Sequence, residues 1–256
     1  MSILFLRMNL LKIVCPPDIY MLEFPMRPHR KSARLRHKFP NMEALTVCAH
    51  LQLDPTCQGL SIVFSYAIQS FIKEFQLQAQ ITRNEPVHLA LLVHGSNTSY
   101  ITGFPNDASW HFVCTSWDGN TGEWVIWVDG AVVGSGNSLN STSHIGGDGL
   151  FMIGQDQETY GGYNNDKALC GNVTQLYMWD RFLVKSEIQS MEKLYQLVIS
   201  GLDPSLHHNL SFNSNKTCVA FDPASGKPIN SLCTTHRGSV CLFPKGDHLL
   251  YDILKL

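Results

Sequence analysis

Residues 110–130 read WHFVCTSWDGNTGEWVIWVDG. Two runs rich in aromatic and β-branched residues, WHFVCTSW and EWVIWVDG, are joined by the short turn segment DGNTG. Aromatic and β-branched side chains favour strands, whereas Gly, Asn and Asp favour turns. The stretch therefore predicts two consecutive strands, and the pair Asp129-Gly130 predicts another tight turn directly after them.

The same alternation of strand and turn residues extends in both directions from this hairpin. Further strands are predicted at LTVCAHLQL (45–53), LSIVFSYA (60–67), FQLQAQI (75–81), HLALLV (88–93), LFMIG (150–154) and NVTQLYMW (172–179). Many short strands about ten residues apart are typical of a sandwich or jelly roll. The predicted fold class is all-β, an antiparallel jelly-roll sandwich.

One helix is predicted near the end of this region. Ser186 is a good N-cap residue, and the segment EIQSMEKLYQLV follows it. Ile188, Met191, Leu194 and Tyr195 recur at helical spacing and predict one apolar face.

Composition narrows the class of protein. The chain of 256 residues has a formal net charge of −2 and only 16% charged residues. That balance argues against a nucleic-acid or membrane-surface partner. The sequence also has no run of 18 apolar residues of the kind that spans a membrane.

Cysteine and asparagine residues indicate an oxidising compartment. The cysteines are far apart and form no CxxC pair of the kind found in zinc or redox sites. Sequons for N-glycosylation occur at Asn97, Asn140, Asn172, Asn209 and Asn215. Their combination with the scattered cysteines favours a secreted protein or the extracellular side of the plasma membrane.

The chain divides into three parts by composition. Residues 1–40 are expected to be a leader and basic linker, since MSILFLRMNLLKIVC is interrupted by charges and RPHRKSARLRHK (27–38) is strongly basic. That basic segment is read as a solvated linker, with a processing site or a heparin-binding stretch as alternatives. Residues 41–202 are the predicted domain, and 203–256 are a cysteine-containing tail or the start of another module.

Five stretches in order resemble the pentraxin domain: LTVCAHL, FSYA, WHFVCTSW, GQDQETYGG and LYMWDRFL. SHIGGDGLFMIGQDQETYGG and GNVTQLYMWDRFL are most similar to the N-terminal pentraxin domains of adhesion G-protein-coupled receptors, with the D subgroup the nearest candidate. The resemblance implies a concanavalin A-like sandwich with an extracellular binding or adhesion role. It implies membrane attachment only if the chain is a fragment of a receptor.

The resemblance also implies disulfide bonds. The family's intradomain bridge corresponds to Cys48 and Cys114. Cys57 and Cys170 each lie beside a matched strand, so a second bridge between them is expected. The resemblance assigns no partner to Cys15, Cys218, Cys233 or Cys241. One departure is Phe112, which stands where the family signature has His, with His111 one position early.

Calcium is the cofactor that the resemblance implies, and the segment GQDQETYGG corresponds to part of its site. Asp156, the carbonyl of Gln157 and Glu158 match three ligand positions. Asn165 or Asp166 stands in for a further acidic ligand, and Lys167 or Ala168 falls where the family has Gln.

The other half of the family's site is altered. Ile72 and Lys73 align with its Asp-Asn pair and supply no oxygen, and Lys73 opposes a cation. Gln78 replaces the aromatic wall that would recognise choline. Calcium binding is therefore expected to be weak or vestigial, and a tight site remains an alternative.

The predicted function is that of an extracellular ligand-binding or adhesion module in a receptor ectodomain. Its partner would be an extracellular protein, a glycan or a lipid head group, and homo-oligomers are possible. The alternative is a soluble, calcium-dependent pentraxin that recognises phosphorylated head groups or glycans. Asp156 and Glu158 also resemble a pair of catalytic acids, but no ExDxxE motif accompanies them, so the protein is not expected to be an enzyme.

Overall fold

The computed structural model describes residues 21–35 and 37–192 in full, the backbone of residues 193–200, and three short strands nearer the C-terminus. The strands up to the helix are β1 (Met21–Phe24), β2 (Ala33–Arg34), β3 (Ala44–Leu53), β4 (Gly59–Ile68), β5 (Phe71–Ile81), β6 (Val87–Val93), β7 (Ser96–Asn97), β8 (Ile101–Phe104), β9 (His111–Asp118), β10 (Trp124–Val128), β11 (Ala131–Gly136), β12 (Leu150–Ile153) and β13 (Gly171–Trp179). The helix α1 spans Lys185–Ser200, and β14 (Val219–Phe221), β15 (Pro228–Asn230) and β16 (Tyr251–Asp252) follow.

Two antiparallel sheets form the sandwich. The first has the order β1-β13-β3-β9-β10-β11, and the second has the order β2-β12-β4-β5-β6-β7 with β8 paired to β6. Alternate residues of both sheets point between them and form one buried core, which includes Val47, Phe64, Phe75, Trp117 and Phe151. The predicted all-β sandwich is confirmed.

The hairpin of β9 and β10 lies inside the first sheet, between β3 and β11. β9 pairs with β10 on one side and with β3 on the other, so Cys114 lies directly opposite Cys48. Asp129 and Gly130 have φ values of 50° and 74°. Positive φ at both turn positions belongs to the type I′ hairpin that Asp-Gly favours.

The outer face of the first sheet is apolar and lies under α1. We call it the helix face: a cluster that includes Cys48, Phe112, Cys114, Trp127 and Trp179, with Ile188 of the helix packed into it. Met191 contacts the same cluster as predicted. The side chains of the other two predicted face residues, at positions 194 and 195, lie outside the described residues.

The helix begins two residues earlier than the predicted cap implied. Lys185 is its first residue, so Ser186 lies within the first turn rather than at the N-cap. The side chain of Glu187 reaches back and accepts a hydrogen bond from the backbone N–H of Val184 at 3.0 Å. The reciprocal contact of a capping box thus fixes the start of the helix without a polar N-cap side chain.

Residues 21–35 belong to the sandwich, although a leader and linker were predicted there. β1 pairs with β13 and β2 pairs with β12. Leu22, Phe24, Ala33 and Leu35 are buried in the core. The sandwich therefore starts before the expected boundary at residue 41. The alternation of buried and exposed residues in these two strands is short, and basic residues separate the strands.

The predicted tail (203–256) lies mostly outside the described residues. Within it, β14 pairs with β15, and β16 pairs with β13 through Tyr177 and Met178.

Candidate functional site

A loop between β12 and β13 covers the outer face of the second sheet. We call residues 154–170 the cover loop, and the polar surface beneath it the loop face. The loop leaves β12 at Gly154, where φ is 82° and a side chain would collide with the ring of Phe24. Only glycine accommodates both conditions, which explains the first residue of GQDQETYGG.

Amide groups hold the cover loop on the sheet. The carbonyl of Gln155 accepts a hydrogen bond from Ser65 Oγ at 2.7 Å. Gln157 Nε2 donates to the carbonyls of Ser65 and Leu150 at 3.1 and 3.0 Å. Gln157 is fully buried, so its side chain braces the loop from inside.

Asp156 is the centre of the loop face. Its side chain is 1% exposed, and Lys73 Nζ of β5 binds its Oδ1. Gln76 Nε2 donates to the same oxygen at 2.8 Å. Lys167 Nζ lies 3.2 Å from Oδ2. Both carboxylate oxygens are thus held by donors, two of which carry a positive charge.

The charges decide the protonation state of this carboxyl. Burial acts to raise the pKa of Asp156, but hydrogen bonds and charge from Lys73, with further hydrogen bonds from Gln76 and Lys167, outweigh burial and lower it. The pKa of Lys167 is raised despite its burial, because it is paired with Asp156 and Glu158. Each charge stabilises the ionised form of its partner.

A second carboxylate lies at the exposed end of this group. Glu158 Oε1 is 3.2 Å from Lys167 Nζ and accepts a hydrogen bond from Asn164 Nδ2 at 2.5 Å. Hydrogen bonds from Asn164 and Lys167 lower the pKa of Glu158. Lys167 therefore bridges the buried carboxylate and the exposed one.

Asn165 and Asp166 were the other predicted ligands. The carbonyl of Asp166 accepts a hydrogen bond from Arg27 Nη1 at 2.7 Å. Asn165 Oδ1 is buried and accepts no hydrogen bond from the described residues. Glu74 is next to Lys73 in sequence, but it accepts a hydrogen bond from Gly146 and lies 3.4 Å from His94.

The donor set does not fit calcium. A calcium ion takes six to eight oxygen ligands at short range. Here the oxygens of Asp156 are bound by two ammonium groups and an amide N–H, and an ammonium group repels a cation. Among the described residues, no group of three or more His, Cys, Asp or Glu side chains is placed to hold a metal ion.

Gln76, Tyr100 and Arg27 were absent from the predicted site. Gln76 donates a hydrogen bond to Asp156. Gln78 Nε2 donates to Gln76 Oε1 at 2.9 Å, and the hydroxyl of Tyr100 donates to Gln78 Oε1 at 2.7 Å. Tyr100 is 43% exposed beside the loop. The polar alternation in FQLQAQI was the available signal, because Gln76 and Gln78 share the face opposite the core.

Arg27 is the third, and it ties the basic segment to the cover loop. Its guanidinium donates to the carbonyls of Cys57 and Gln58 at 2.8 and 2.5 Å, as well as to Leu60 and Asp166. Such a fork of donors is specific to arginine. At Arg27, the basic segment is therefore hydrogen-bonded to the domain, where a solvated linker was predicted.

Both predicted disulfides are present. Cys48–Cys114 joins β3 to β9 on the helix face, and Cys57–Cys170 fastens the end of the cover loop. The cysteines at positions 15, 218, 233 and 241 lie outside the described residues.

The sequons differ in exposure. Asn97 is exposed. Asn140 Nδ2 donates to the carbonyl of Val93 at 2.6 Å, and Asn172 Nδ2 donates to Gln52 Oε1 at 2.8 Å. Asn209 and Asn215 lie outside the described residues. Glycosylation stays a prediction, for which Asn97 is the best placed of the described sequons.

Comparison with protein families now identifies the fold. The Pentaxin family model matches residues 21–205. The chain belongs to the pentraxin family. The match begins at β1, so the region matched by the family model includes β1 and β2, which precede residue 41.

Curated relatives connect the domain to cell-surface and neuronal proteins. The human adhesion G protein-coupled receptor D2 is 31% identical over 169 residues, which are 66% of this chain and 18% of the receptor. Human neuronal pentraxin-1 is 29% identical over 187 residues, which are 73% of this chain and 42% of that protein. The expected resemblance to an adhesion receptor of the D subgroup is confirmed, and the chain spans less than half of either relative.

Solved structures support the sandwich architecture. A heptameric SAP-like pentraxin from Limulus polyphemus aligns with a TM-score of 0.62 and 24% identity, covering 68% of this chain and 82% of that one. The extracellular region of zebrafish Gpr126/Adgrg6 aligns with a TM-score of 0.54 and 17% identity, covering 72% of this chain and 23% of that one. These similarities confirm the jelly-roll fold. In the described part of the chain, no helix has the length and apolar character needed to cross a membrane.

Proposed function

We propose that this chain is an extracellular ligand-binding or adhesion module of the pentraxin type, part of an adhesion receptor ectodomain, that works without tightly bound calcium. The similarity to the human adhesion receptor D2 and the two disulfides support the extracellular setting. The single observation that carries the calcium-independent part is the engagement of both Asp156 oxygens by Lys73 and Lys167.

The proposed partner is an extracellular protein, a glycan or a lipid head group. The loop face offers exposed Tyr100, partly exposed Lys73 and Lys167, and Glu158 as polar contacts. Recognition there would use hydrogen bonds and charge directly, rather than through a bridging metal ion. The exposed aromatic ring of Tyr100 lies beside these groups and adds an apolar contact surface.

We propose no catalytic role for the Asp156 and Glu158 pair. A general acid or base must reach substrate. Asp156 is buried and held by Lys73, Gln76 and Lys167. Lowered pKa values also make both carboxyls poor proton donors at neutral pH.

The second candidate is a soluble pentraxin that assembles into a ring and binds phosphorylated head groups or glycans with calcium. Similarity to neuronal pentraxin-1 and to the heptameric Limulus protein favours it. The two candidates differ in calcium dependence and in assembly.

Ligand binding with and without calcium tests the proposal. The full chain, secreted as a tagged protein, is applied to panels of glycans, anionic lipid vesicles and cells in millimolar calcium and in excess chelator. We expect binding of equal strength in both. Binding that disappears in chelator, together with a ring-sized mass by light scattering, would establish the second candidate instead.

A further inference from the structure

We infer that Lys73 and Lys167 are built-in counter-cations of Asp156, and that replacing both with glutamine turns the loop face into a site that binds a divalent cation. This inference rests on the calcium-independent part of the proposed function. It goes further, because it states which two substitutions would reverse that independence.

The position of Asp156 requires a positive partner. Its side chain is 1% exposed, and ionised carboxylates are almost never buried to that extent without a counter-charge. Lys73 comes from β5 and Lys167 from the end of the cover loop, and they bind different oxygens of the same carboxylate. The pair with Lys73 therefore ties the cover loop to the sheet, and the pair with Lys167 ties the two ends of the loop together.

The charges of this group balance. Lys73 and Lys167 carry two positive charges, and Asp156 and Glu158 carry two negative charges, with Lys167 in contact with both carboxylates. A neutral group has little net attraction for a free cation. The wild-type domain therefore gains nothing from calcium at this position.

Substitution by glutamine changes both the charge and the ligand chemistry. Lys73→Gln with Lys167→Gln leaves Asp156 and Glu158 uncompensated. It also places two amide oxygens where the ammonium groups were. Carboxylate and amide oxygens are the ligands that calcium prefers, and the bracing by Gln157 keeps the loop in place.

The experiment measures thermal unfolding of the full chain in excess chelator and in millimolar calcium. Wild type should melt at the same temperature in both. The double variant should melt about 5 °C or more below wild type in chelator, because a buried charge is left unpaired. Calcium should raise that midpoint, since a ligand that binds only the folded state stabilises it.

Two variants provide matched controls. Adding Asp156→Asn to the double variant removes the buried charge together with its cations. This triple variant should regain most of the lost stability in chelator and should not respond to calcium. Lys185→Gln removes an exposed lysine with no ion pair among the described residues, and it should melt like wild type in both conditions.

Calorimetric titration with calcium keeps the inference testable if the double variant fails to fold. Lys167→Gln alone retains Lys73 and should bind calcium at least ten-fold more tightly than wild type. A double variant that folds but is indifferent to calcium, or a single variant with unchanged affinity, overturns this inference alone. Calcium binding to wild type at micromolar concentration overturns both the inference and the calcium-independent part of the proposed function.

Discussion

The two outer faces of the sandwich are built in opposite ways. The helix face is apolar and is covered by α1, whereas the loop face is polar and is covered by residues 154–170. Burial of hydrocarbon stabilises the first face. Paired charges and amide hydrogen bonds stabilise the second, so its stability depends on which charges are present.

This difference shows where the domain tolerates chemical change. A substitution on the helix face changes packing, for which the fold has little room. On the loop face, a bound cation and a lysine ammonium group serve the same electrostatic purpose. Lys73 and Lys167 supply the positive charge that the buried carboxylate of Asp156 requires.

The largest predicted effect is on the helix face. Replacing Cys48 and Cys114 with alanine opens a bridge between residues 66 apart. The chain-entropy model gives a loss of about 4 kcal/mol in the free energy of unfolding. Urea unfolding under non-reducing conditions measures it. An unchanged midpoint would show that packing alone holds β3 to β9.

The next effect concerns the helix. Ile188→Ala should lower the free energy of unfolding by about 3 kcal/mol, because the side chain is fully buried in the helix-face cluster. Ser190→Ala is the control, since Ser190 is exposed on the same helix and should change stability by less than about 0.5 kcal/mol. Equal effects of the two would mean that α1 does not stabilise this face.

Acid should affect the two faces at different pH. Burial lowers the pKa of His50, which stacks on Phe112 of the helix face, to about 3. The unfolded chain takes up this proton below pH ~6.5 and the folded chain does not, so stability is complete above ~6.5 and falls toward pH ~3. The expected loss at pH 5 is about 2 kcal/mol, measured by urea unfolding. His50→Phe should remove it; an equal loss in that variant would place the acid sensitivity elsewhere.

The loop face should respond at lower pH. The pKa of Asp156 is lowered in the folded state, so its contribution is present above the unfolded value near 3.8 and is lost as pH falls below it. The triple variant without this carboxylate should be less sensitive than wild type between pH ~4 and ~3. A loop-face contribution already lost at pH 5 would contradict the assignment.

The smallest predicted effect is at the start of the helix. Glu187 caps Val184 and pairs with Arg181 at 2.7 Å, with both side chains more than a third exposed. Solvent screening limits such a pair, so Glu187→Gln should lower stability by about 0.5–1 kcal/mol. Thermal unfolding at low and high salt measures it, and the difference from wild type should shrink in high salt.

Particular residues show why some features were predictable. The strands of the hairpin at 110–130 and its Asp129-Gly130 turn follow from local preferences, and both are confirmed. The buried strands β1 and β2 were missed because each is short and pairs with a strand distant in the sequence, and β2 also lies within the basic segment 27–38.

By itself, the sequence determined the fold class, most of the strands, the helix and the two disulfide pairs, because these depend on local periodicity and on motifs that mark the family. Only the tertiary structure decided what GQDQETYGG does. Lys73 lies on β5, whereas Asp156 and Lys167 lie near opposite ends of the cover loop, so their contact depends on how the loop folds onto β5. Burial then makes the sign of each neighbouring charge decisive, and two of those neighbours are lysines.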